Sequence, residues 1–276
     1  MPTLEAVLSD FPSSVPDQPE LVTMERDGDL VWLTISRVDV MNCLSFPTLK
    51  RFRTLLAELR DDLSIRAILI TGAGEKAFCA GADLKERRTM DPELVPVFVM
   101  NIRGLMDDVE AMPQPTIAVI NGFAFGGGTE LMLACDLRIA TESARFGLTE
   151  VSLAIIPGAG GTQRLPRLIG KSRAKDLILT GRRLDAVEAG SMGLVNRVAE
   201  EGALREDALV LAGSIAANGP VAVRAAKAAI DGGLELSQKL GLELEAQCYS
   251  LTLPTLDRLE ALAAFGEKRK PVFRGA

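Results

Sequence analysis

The sequence predicts an α/β protein with a mostly parallel sheet, followed by a helical C-terminal part. Three short apolar runs are typical of buried strands, and they occur at Ala67–Thr71, Thr116–Asn121 and Asp136–Ala140. Helical stretches lie between these runs, near Pro92–Ala111 and Gly128–Ala134. Strands that alternate with helices are joined by crossover connections, which favour parallel pairing.

The N-terminal elements are predicted from periodicity and turn chemistry. Residues alternate between apolar and polar over Leu21–Ser36, on both sides of Asp27-Gly28, which predicts a β-hairpin. An Asp-Gly pair accepts the positive φ angles of a type I′ turn. Apolar residues at helical spacing then predict a helix over Phe46–Leu59, with Ser45 at its start.

Four further helices are predicted from about residue 203 onward, because glycines and prolines divide this region into apolar-periodic segments. The segments are Ala203–Ala217, Val221–Asp231, Leu234–Leu251 and Leu256–Lys268. Four prolines in the first 20 residues indicate a flexible leader. We therefore divide the chain into a leader over residues 1–20, an α/β core over residues 21–200 and a helical C-terminal region over residues 201–276, to which the resemblance described below adds a role in oligomerisation.

The composition excludes several kinds of chemistry. The chain has no histidine, which removes imidazole bases, Ser/His and Cys/His nucleophile systems and histidine-ligated metals. Its four cysteines are scattered without a Cys-x-x-Cys pair, so we expect reduced thiols and neither a zinc nor a redox site. The net charge of −6 argues against a nucleic-acid binder driven by bulk electrostatics. Acid–base chemistry is left to carboxylates, lysine, cysteine and the single tyrosine, Tyr249.

The sequence carries no signal for a membrane or for export. A run of about 18 apolar residues, which would predict a spanning helix, does not occur. The first 20 residues contain acidic but no basic residues, which fits neither a signal peptide nor a transit peptide. We expect a cytoplasmic protein, with a processed organelle protein as the alternative.

Two glycine-rich stretches are candidate ligand sites. Gly72–Ala77 follows a strand and matches G-x-G-x-x-A, but another loop follows it where a dinucleotide fold needs a helix. Gly126-Gly127-Gly128 lies between a strand and a short apolar helix. Backbone N–H groups at such a helix start can hold a developing oxyanion, although three glycines also suit a tight strand-to-helix turn.

Two glutamates are the candidate acid–base residues. Glu130 lies in the first turn of the helix after the triple glycine, where a carboxylate also interacts favourably with the helix dipole. Glu150 is followed by the apolar segment Val151–Ile156, and partial burial there would raise its pKa; a surface loop is the alternative. The strand at Asp136–Ala140 lies between the two glutamates, so the chain has room to return to the same crevice.

Four stretches, in their order and spacing, resemble the crotonase superfamily. They are Ala77–Arg87 (AFCAGADLKER), Ile120–Asp136 (INGFAFGGGTELMLACD), Phe146–Leu165 (FGLTEVSLAIIPGAGGTQRL) and Ala263–Arg274 (AAFGEKRKPVFR). Asn42 stands at the family's N-terminal asparagine position. The resemblance runs from about Leu21 to the C-terminus. It is strongest to the methylglutaconyl-CoA hydratase branch, which includes the AU-rich-RNA-binding enoyl-CoA hydratase.

The resemblance implies a crotonase fold, which is a spiral of ββα units with C-terminal helices that form trimers, often stacked into hexamers. It implies that the backbone N–H groups of Ala82 and Gly127 hold the thioester oxygen. It also implies that Lys268 meets CoA phosphates, although a solvated helix end explains this lysine equally well. The implied CoA-binding residues are Ala80, Ala82, Asp83, Leu84, Lys85 and Lys268.

Side chains decide the reaction, because the superfamily runs several chemistries on one fold. Its hydratases carry glutamates at the positions of both Glu130 and Glu150, whereas its isomerases typically keep only the second. The resemblance therefore implies an enoyl-CoA hydratase for a short or branched substrate such as 3-methylglutaconyl-CoA, with Glu130 activating water and Glu150 protonating Cα. It implies no metal and no cofactor, because CoA is part of the substrate.

Three alternatives remain at this point. An isomerase and an acyl-CoA hydrolase would use the same fold, and a secondary RNA-binding role would use the basic helix around Lys50–Arg60. Acidic residues beside these cations make that helix a weak nucleic-acid site. The depth of the acyl pocket is expected to depend on Leu84, Met90, Phe98, Met100 and Phe125.

Overall fold

Two sheets form the α/β part of the chain in the computed structural model, which describes residues 3–276. The strands of the larger sheet are β1 (Val22–Asp27), β2 (Leu30–Ile35), β3 (Ala67–Gly72), β5 (Thr116–Ile120), β7 (Leu137–Thr141) and β10 (Arg197–Ala199). The strands of the smaller sheet are β4 (Ala77–Cys79), β6 (Phe123–Phe125), β8 (Arg145–Gly147) and β9 (Leu184–Asp185). Neighbours follow the order β1-β2-β3-β5-β7-β10 in the larger sheet and β4-β6-β8-β9 in the smaller one.

Twelve α-helices accompany these strands in the described residues. They are α1 (Leu4–Ser9), α2 (Phe46–Leu59), α3 (Leu84–Thr89), α4 (Leu94–Glu110), α5 (Gly127–Ala134), α6 (Gly161–Ile169), α7 (Lys171–Thr180), α8 (Ala186–Ser191), α9 (Leu204–Ala216), α10 (Pro220–Leu234), α11 (Gln238–Ser250) and α12 (Leu256–Glu267). Short 3₁₀ turns occur at Pro19–Leu21, Val38–Val40 and Glu150–Leu153.

The three strands predicted from apolar runs are confirmed at the centre of the larger sheet. β3, β5 and β7 lie side by side in parallel, with Leu69 opposite Ile117 and Val119 opposite Ile139. Every residue of β5 is buried. The two faces of the sheet belong to two separate apolar clusters, and the smaller cluster packs under α9. A parallel strand covered on both faces is apolar throughout, which is why these runs do not alternate.

The smaller sheet gives the fold its spiral form. Each of β3, β5 and β7 is followed by a short strand of this sheet, namely β4, β6 and β8, before the chain turns away. Gly122 makes the turn between β5 and β6, where an added Cβ would lie 2.2 Å from the carbonyl oxygen of Lys76. The predicted spiral of ββα units is therefore confirmed, although strands of three residues are too short to show a period in the sequence.

The N-terminal hairpin and the helix after it are confirmed, with one correction at the turn. Pairing of Asp27 with Leu30 makes Gly28 and Asp29 the central residues, where the sequence predicted the Asp27-Gly28 pair. A type I′ turn needs positive φ at both central residues. Only Gly28 has it, with φ +62°, so that turn type was wrong. Ser45 caps α2 as predicted, because its hydroxyl accepts from the N–H of Thr48.

The described part of the leader, which was predicted to be flexible, packs against the core, while residues 1–2 lie outside the described residues. Val7, Phe11 and Val15 recur every four positions, and all three side chains are buried in the main core. The ring of Phe11 meets that of Phe46 edge-on at 6.4 Å. Lys50 donates to the carbonyl oxygen of Val15 at 2.7 Å. The prolines interrupt regular structure here, but the apolar side chains still fix the segment to the core.

A buried ionic cluster joins the leader to two core helices. Arg53 of α2 is 3% exposed and donates to Asp108 of α4 at 2.6 Å. It also donates to Asn101 at 2.7 Å and pairs with Asp10 of the leader at 2.9 Å. Because a buried guanidinium needs several acceptors, these partners hold the leader, α2 and α4 in register.

The four predicted C-terminal helices are confirmed as α9, α10, α11 and α12. Of these, α9 covers one face of the larger sheet, whereas α10 and α11 pack mainly against each other. Large apolar side chains on the outer helices are exposed, among them Leu234 and Phe265 at 80% and 86%. An exposed apolar surface of this kind is typical of a protein interface, and the predicted oligomer stays a prediction.

No single helix in residues 3–276 is both long and apolar enough to cross a membrane. The pair α9 and α10 meets the length and composition criteria only jointly, and its axis bends by 99° between the two helices.

Candidate active site

A cavity of about 560 Å³ opens at the ends of β4 and β6, beside the starts of α3 and α5. It brings together four residues that the sequence proposed for one site, namely Ala82, Gly127, Glu130 and Glu150. The rest of its wall is mostly apolar, which suits a hydrocarbon chain and strengthens any electrostatic interaction inside it. The cavity is therefore the candidate active site.

Two backbone N–H groups, those of Ala82 and Gly127, lie close together in the cavity wall. An added Cβ on Gly127 would lie 3.7 Å from the nitrogen of Ala82, so the two peptide groups are close. Neither nitrogen donates to an acceptor in the part of the chain that the structure describes. Gly127 is also the first residue of α5, where the helix dipole adds partial positive charge. The pair can therefore hold a developing oxyanion.

Glycine is required at two positions to bring these N–H groups together. Gly81 has φ +96°, and an added Cβ would lie 2.8 Å from the carbonyl oxygen of Phe125. At Gly128 an added Cβ would lie 1.8 Å from the carbonyl oxygen of Cys79, so α5 can approach β4 only with glycine. The triple glycine thus makes a tight turn and also leaves an unpaired N–H in the cavity wall, so it fits both alternatives that the sequence left open.

Glu130 is held rigidly in the first turn of α5. Its side chain is 3% exposed, and Oε1 accepts from the N–H groups of Ala159 and Gly161 at 2.8 and 2.9 Å. Among residues 3–276 no donor lies within hydrogen-bond distance of Oε2, which leaves this oxygen for a ligand in the cavity. Burial raises the pKa of Glu130, while the two N–H groups and the charge of Arg164 oppose that rise.

Glu150 is held much more loosely, at the start of the 3₁₀ turn after β8. Its Oε2 is buried and has no hydrogen-bond partner among the described residues. Burial raises the pKa of Glu150 to about 7, its own backbone N–H opposes the rise, and the nearby Glu130 charge adds to it. The carboxyl also lies against Gly126, where an added Cβ would be 3.2 Å from Oε1. Glu150 is therefore suited to carry a proton near neutral pH.

The loop that holds Glu130 was not identified as functional from the sequence. Ala159 and Gly161 flank Gly160, whose φ of +104° turns both neighbouring N–H groups toward the same carboxylate oxygen. Arg164 of α6 fixes this loop, because it donates to the carbonyl oxygen of Ala159 at 3.0 Å. The glycines in this stretch are the one sequence signal that pointed to it.

Arg164 is in turn fixed by carboxylates on α4. Its guanidinium donates to both carboxylate oxygens of Glu110, at 3.1 and 2.6 Å, and to Asp107 at 3.0 Å. Such bidentate pairs are the strongest kind of side-chain hydrogen bond and set both distance and direction. A chain of contacts therefore runs from α4 through Arg164 and the loop to Glu130.

The proposed CoA-binding residues fall into two groups. Ala80, Ala82 and Leu84 line the cavity, whereas Asp83, Lys85 and Lys268 do not. Asp83 is committed to the protein: it caps α3 through the N–H groups of Lys85 and Glu86, and it pairs with Arg37 at 2.9 Å. Lys268 ends α12 in a left-handed conformation with φ +56° and is exposed.

Only some of the residues proposed to set the depth of the acyl pocket line the cavity. Leu84 and Phe125 line the cavity, whereas Phe98 is fully buried in the core and Met100 is 53% exposed. Met90 packs against the core and not the cavity. The wall includes further residues that were not predicted to line it: Arg87, Val99, Ile102, Leu153, Ile155 and Ile156.

Asn42 has a structural task beside the site. It is 1% exposed with φ +57°, and its amide donates to the carbonyl oxygens of Ala73 and Ala77 at 3.0 and 2.7 Å. Its side-chain oxygen accepts from the N–H of Arg37 at 2.9 Å. These bonds hold the segment before Leu44, whose backbone pairs with Ala82. Asn42 therefore helps to position the backbone segment that carries the Ala82 N–H.

The thiols do not contribute a nucleophile to the site. Cys79 and Cys135 are fully buried, and burial raises the pKa of each to about 12. Both are free, as are Cys43 and Cys248. Within residues 3–276 no group of three or more potential ligands from Cys, Asp and Glu side chains comes together at a metal-binding distance.

Two carboxylates beside two unpaired N–H donors, on one apolar cavity, define an enzyme site for acid–base chemistry on a carbonyl compound. Comparison with known families agrees with this class. Residues 25–276 match the family model described as "Enoyl-CoA hydratase/isomerase". The chain therefore belongs to the enoyl-CoA hydratase/isomerase family and is an enzyme of that family.

Individual relatives are similar over almost the whole chain. The "Methylglutaconyl-CoA hydratase, mitochondrial" of Homo sapiens is 48% identical over 255 residues, which are 91% of this chain and 75% of that protein. The "Enoyl-CoA hydratase domain-containing protein 2, mitochondrial" of Homo sapiens is 48% identical over 253 residues, with 90% and 87% covered. A crystal structure of an enoyl-CoA hydratase from Bacillus anthracis has TM-score 0.91 and 51% identity, covering 93% of this chain and all of that one. The crotonase fold is thereby confirmed.

Proposed function

We propose that the protein adds water syn across the 2,3 double bond of a short or branched 2-enoyl-CoA. One observation carries the proposal: Glu130 and Glu150 line a single cavity together with the unpaired N–H groups of Ala82 and Gly127. A hydration needs a base for water, an acid for Cα and a place for negative charge on the thioester oxygen. The cavity offers one group or pair of groups for each of these tasks.

The difference in environment assigns the two carboxyl groups. Glu130 has two N–H donors on Oε1, which favour the charged form, and it takes a proton from water as the water oxygen bonds to Cβ. Glu150, with a pKa of about 7, gives its proton to Cα. The π electrons of the double bond pass to the thioester oxygen as an enolate and return as the Cα–H bond forms. Both proton transfers take place on one side of the substrate, hence the syn addition.

The enolate charge rests on the N–H groups of Ala82 and Gly127. Each such donor is worth roughly 3 kcal/mol of barrier reduction in enzymes where one has been removed. The apolar wall raises this contribution, because competing water is excluded from the cavity. We propose that no metal or separate cofactor takes part, since CoA enters as part of the substrate.

The position of Glu130 supports hydration over the alternative reactions. An isomerase moves one proton between two carbons and needs a single carboxylate, so a second one held beside it by two N–H donors would be superfluous. A hydrolase would need water at the thioester carbon, next to Ala82 and Gly127. The free Oε2 of Glu130 suits water that attacks Cβ. Isomerisation on the same fold is therefore the second candidate.

The acyl group is proposed from the relatives and the wall of the cavity. One relative is named a methylglutaconyl-CoA hydratase, so 3-methylglutaconyl-CoA is the specific candidate substrate. Branched aliphatic residues, including Val99, Ile102 and Ile155, form much of the wall and favour a short or branched chain. The CoA part is proposed to pass along Ala80–Lys85 and to reach Lys268 with its phosphates, an arrangement in which Lys268 could belong to a neighbouring subunit.

The proposed partners follow from the surface. The exposed apolar residues of the outer C-terminal helices support a homotrimer or a dimer of trimers. Nucleic acid is not proposed as a partner, because Lys50 and Arg53 of α2 are occupied by the carbonyl oxygen of Val15 and by buried carboxylates. A cytoplasmic location stays a prediction.

A direct assay tests the proposal. Purified protein is mixed with crotonyl-CoA or 3-methylglutaconyl-CoA without added cofactor, and loss of the enoyl absorbance is followed. Glu130→Gln and Glu150→Gln should each lower kcat by about 10²- to 10⁴-fold. Full hydration activity in both variants, with folding confirmed by circular dichroism, contradicts the two-glutamate mechanism. Product analysis with a 3-enoyl-CoA separates isomerisation from hydration.

A further inference from the structure

A second cavity shares no lining residue with the candidate active site. It has a volume of about 340 Å³ and opens at the carboxyl ends of β3, β5 and β7, where Gly72, Asn121 and Thr141 line it. In open α/β sheets, ligands bind in the crevice outside the carboxyl ends of the strands. The volume is sufficient for a small organic molecule.

The glycine-rich loop Gly72–Ala77, a candidate ligand site in the sequence that the active site does not use, forms part of this second cavity. Asn121 fixes the loop, because its amide donates to two of the loop's carbonyl oxygens at 2.7 and 2.6 Å. Glu75 of the loop lines the cavity, and its carboxylate makes no hydrogen bond or ion pair with any residue between 3 and 276. Glu201 also lines the cavity, but it already accepts from a backbone N–H of the β7–β8 turn at 3.1 Å.

A buried donor without an acceptor belongs to the wall of the second cavity. Trp32 of β2 lines it and is 2% exposed. Its indole Nε1 donates to no acceptor in the part of the chain that the structure describes. Because a buried N–H without an acceptor costs free energy, a ligand oxygen that reaches Nε1 gains more than it would from an exposed donor.

The cation of this wall lies over the same indole ring. The guanidinium carbon of Arg205, near the start of α9, is 4.4 Å from the centre of the Trp32 ring. Arg205 pairs with Glu25 at 3.4 Å, but both side chains are more than half exposed, and such surface pairs contribute little. The guanidinium and the indole N–H are therefore close enough to donate to the two oxygens of one carboxylate.

The charges of the wall limit the class of ligand. Arg205 is the one cation among its described residues, beside the two carboxylates of Glu75 and Glu201. A phosphate or another multiply charged anion would be repelled by these carboxylates. A ligand with one negative group and one positive group matches both Arg205 and Glu75.

We propose that this cavity is a second ligand site, which binds a small aliphatic α-amino acid in its zwitterionic form. The ligand carboxylate accepts from Trp32 Nε1 and from Arg205, and the ligand ammonium donates to Glu75. The aliphatic side chain lies against Val119 and Leu204, the apolar residues at the same cavity wall. This proposal does not rest on the proposed hydratase function.

The test uses Trp32 as a reporter, because it is the only tryptophan of the chain. The full-length protein is titrated with L-valine, and the fluorescence of Trp32 should change and reach saturation. Isovalerate lacks the ammonium group of valine, and isobutylamine lacks its carboxylate. Since each analogue loses a charged hydrogen bond, each should bind at least about tenfold more weakly than L-valine.

Substitutions in the cavity wall are compared by calorimetry, because they alter the fluorescence of Trp32 directly. Arg205→Met and Glu75→Gln should each weaken the binding of L-valine by about 10- to 100-fold, and Trp32→Phe by about tenfold. Arg197→Met is the matched control and should bind L-valine as the wild type does, because Arg197 is exposed and does not line the cavity. A Tm close to that of the wild type shows that each variant is folded.

Two outcomes overturn the proposal. The first is the absence of saturable L-valine binding up to about 10 mM in both fluorescence and calorimetry. The second is equal binding of L-valine and isovalerate, because Glu75 would then have no role and the ligand would be a simple carboxylate. No enoyl-CoA is present in these measurements, so their result is independent of any failure to detect hydration.

Discussion

Glu130 and Glu150 line one cavity, but the chain holds their carboxyl groups in two different ways. Glu130 is 3% exposed and has two backbone N–H donors on Oε1. Glu150 begins a 3₁₀ turn, and its buried Oε2 has no donor in the described part of the chain. Burial raises the pKa of both, but only Glu130 has hydrogen bonds from neighbouring segments that favour its charged form.

This difference shows how two identical side chains can take opposite roles. Hydrogen bonds from Ala159 and Gly161 oppose the rise that burial causes in the pKa of Glu130 and so favour its charged form, which suits the proposed base. Glu150 lacks such donors and keeps its proton up to a pKa of about 7, as an acid requires. The negative charge on Glu130 itself favours the protonated form of Glu150. The loop and the turn, and not the residue type, would therefore distinguish the two proposed roles.

The largest predicted effect separates the two glutamates by a partial reaction. Butyryl-CoA, which has no double bond, is incubated in deuterated water, and exchange of its Cα hydrogen is followed by mass spectrometry. Exchange needs a carboxylate at Cα and the Ala82 and Gly127 N–H groups, but no water attack. Glu150→Gln should slow exchange by about 10²- to 10⁴-fold, while Glu130→Gln should change it only several-fold.

Hydration of crotonyl-CoA by the same two variants is the control, because it should be slow in both. If Glu130→Gln slows exchange as much as Glu150→Gln does, then the two carboxyl groups act as one unit at Cα. The assignment of Glu130 as the base and Glu150 as a separate acid would then be wrong.

The second effect concerns the support of Glu130. In the wild type, Arg164 holds the carbonyl oxygen of Ala159, and its charge lowers the pKa of Glu130. Arg164→Met removes both effects. The variant should lose roughly 10- to 100-fold in kcat, as expected when a supporting contact of a catalytic group is lost. The acidic limb of its pH profile should move to higher pH, since the pKa of Glu130 rises. The basic limb, which reports on Glu150, should stay in place.

Arg167→Met is the matched control for this prediction, because Arg167 also lies on α6 but is largely exposed at 61% of its side chain. A loss of kcat in Arg164→Met with both limbs unchanged would indicate a general loss of structure. It would leave the link between Arg164 and Glu130 without support.

The sequence and the structure agree best where a signal is local. Ser45 before Pro47 predicted the start of α2, and apolar runs predicted β3, β5 and β7, because capping and two-sided burial leave marks in neighbouring residues. The triple glycine indicated a tight strand-to-helix turn or an oxyanion site for the same reason. The cluster of Ala82 and Gly127 was implied by resemblance and lay beyond what spacing alone could place.

The remaining features depend on contacts between distant segments. Glu130 is held by Ala159 and Gly161, about 30 residues further along the chain, and no local pattern records such a pairing. The leader was predicted to be flexible because prolines dominate its composition, yet Val7 and Phe11 are buried by surfaces formed much later in the chain. Arg87 was not predicted to line the cavity, because a cation on a short helix is usually solvated.

A third prediction follows from the pKa of Glu150. Hydration needs this carboxyl protonated, so kcat/KM for crotonyl-CoA should fall by about tenfold per pH unit above a pKa of about 7. Exchange of the butyryl-CoA hydrogen needs the ionised form, so its rate should instead rise through the same pH. Opposite dependences in one enzyme identify a single group. Parallel dependences, or a flat profile for either reaction, would contradict the assignment of Glu150.

The smallest predicted effect is on stability, and it follows from the same buried carboxyl group. The pKa of Glu150 rises from an ordinary value of 4.5 to about 7 on folding, so between these values the folded state binds more protons than the unfolded state. Wild-type stability is therefore lost as pH rises through this window. Glutamine does not titrate, so Glu150→Gln should avoid the loss.

At pH values above about 7 the shift corresponds to roughly 3 kcal/mol at most, and partial solvent exposure reduces the expected gain of Glu150→Gln to about 1–2 kcal/mol. Urea unfolding at the two ends of this pH window measures the gain. The difference in the free energy of unfolding between Glu150→Gln and the wild type should widen as pH rises. Glu130→Gln should show a smaller widening, because the donors on Oε1 already offset much of the cost of its charge. Equal widening in both variants would mean that these donors do not favour the charged form. The two carboxyl groups would then differ in position and not in chemistry.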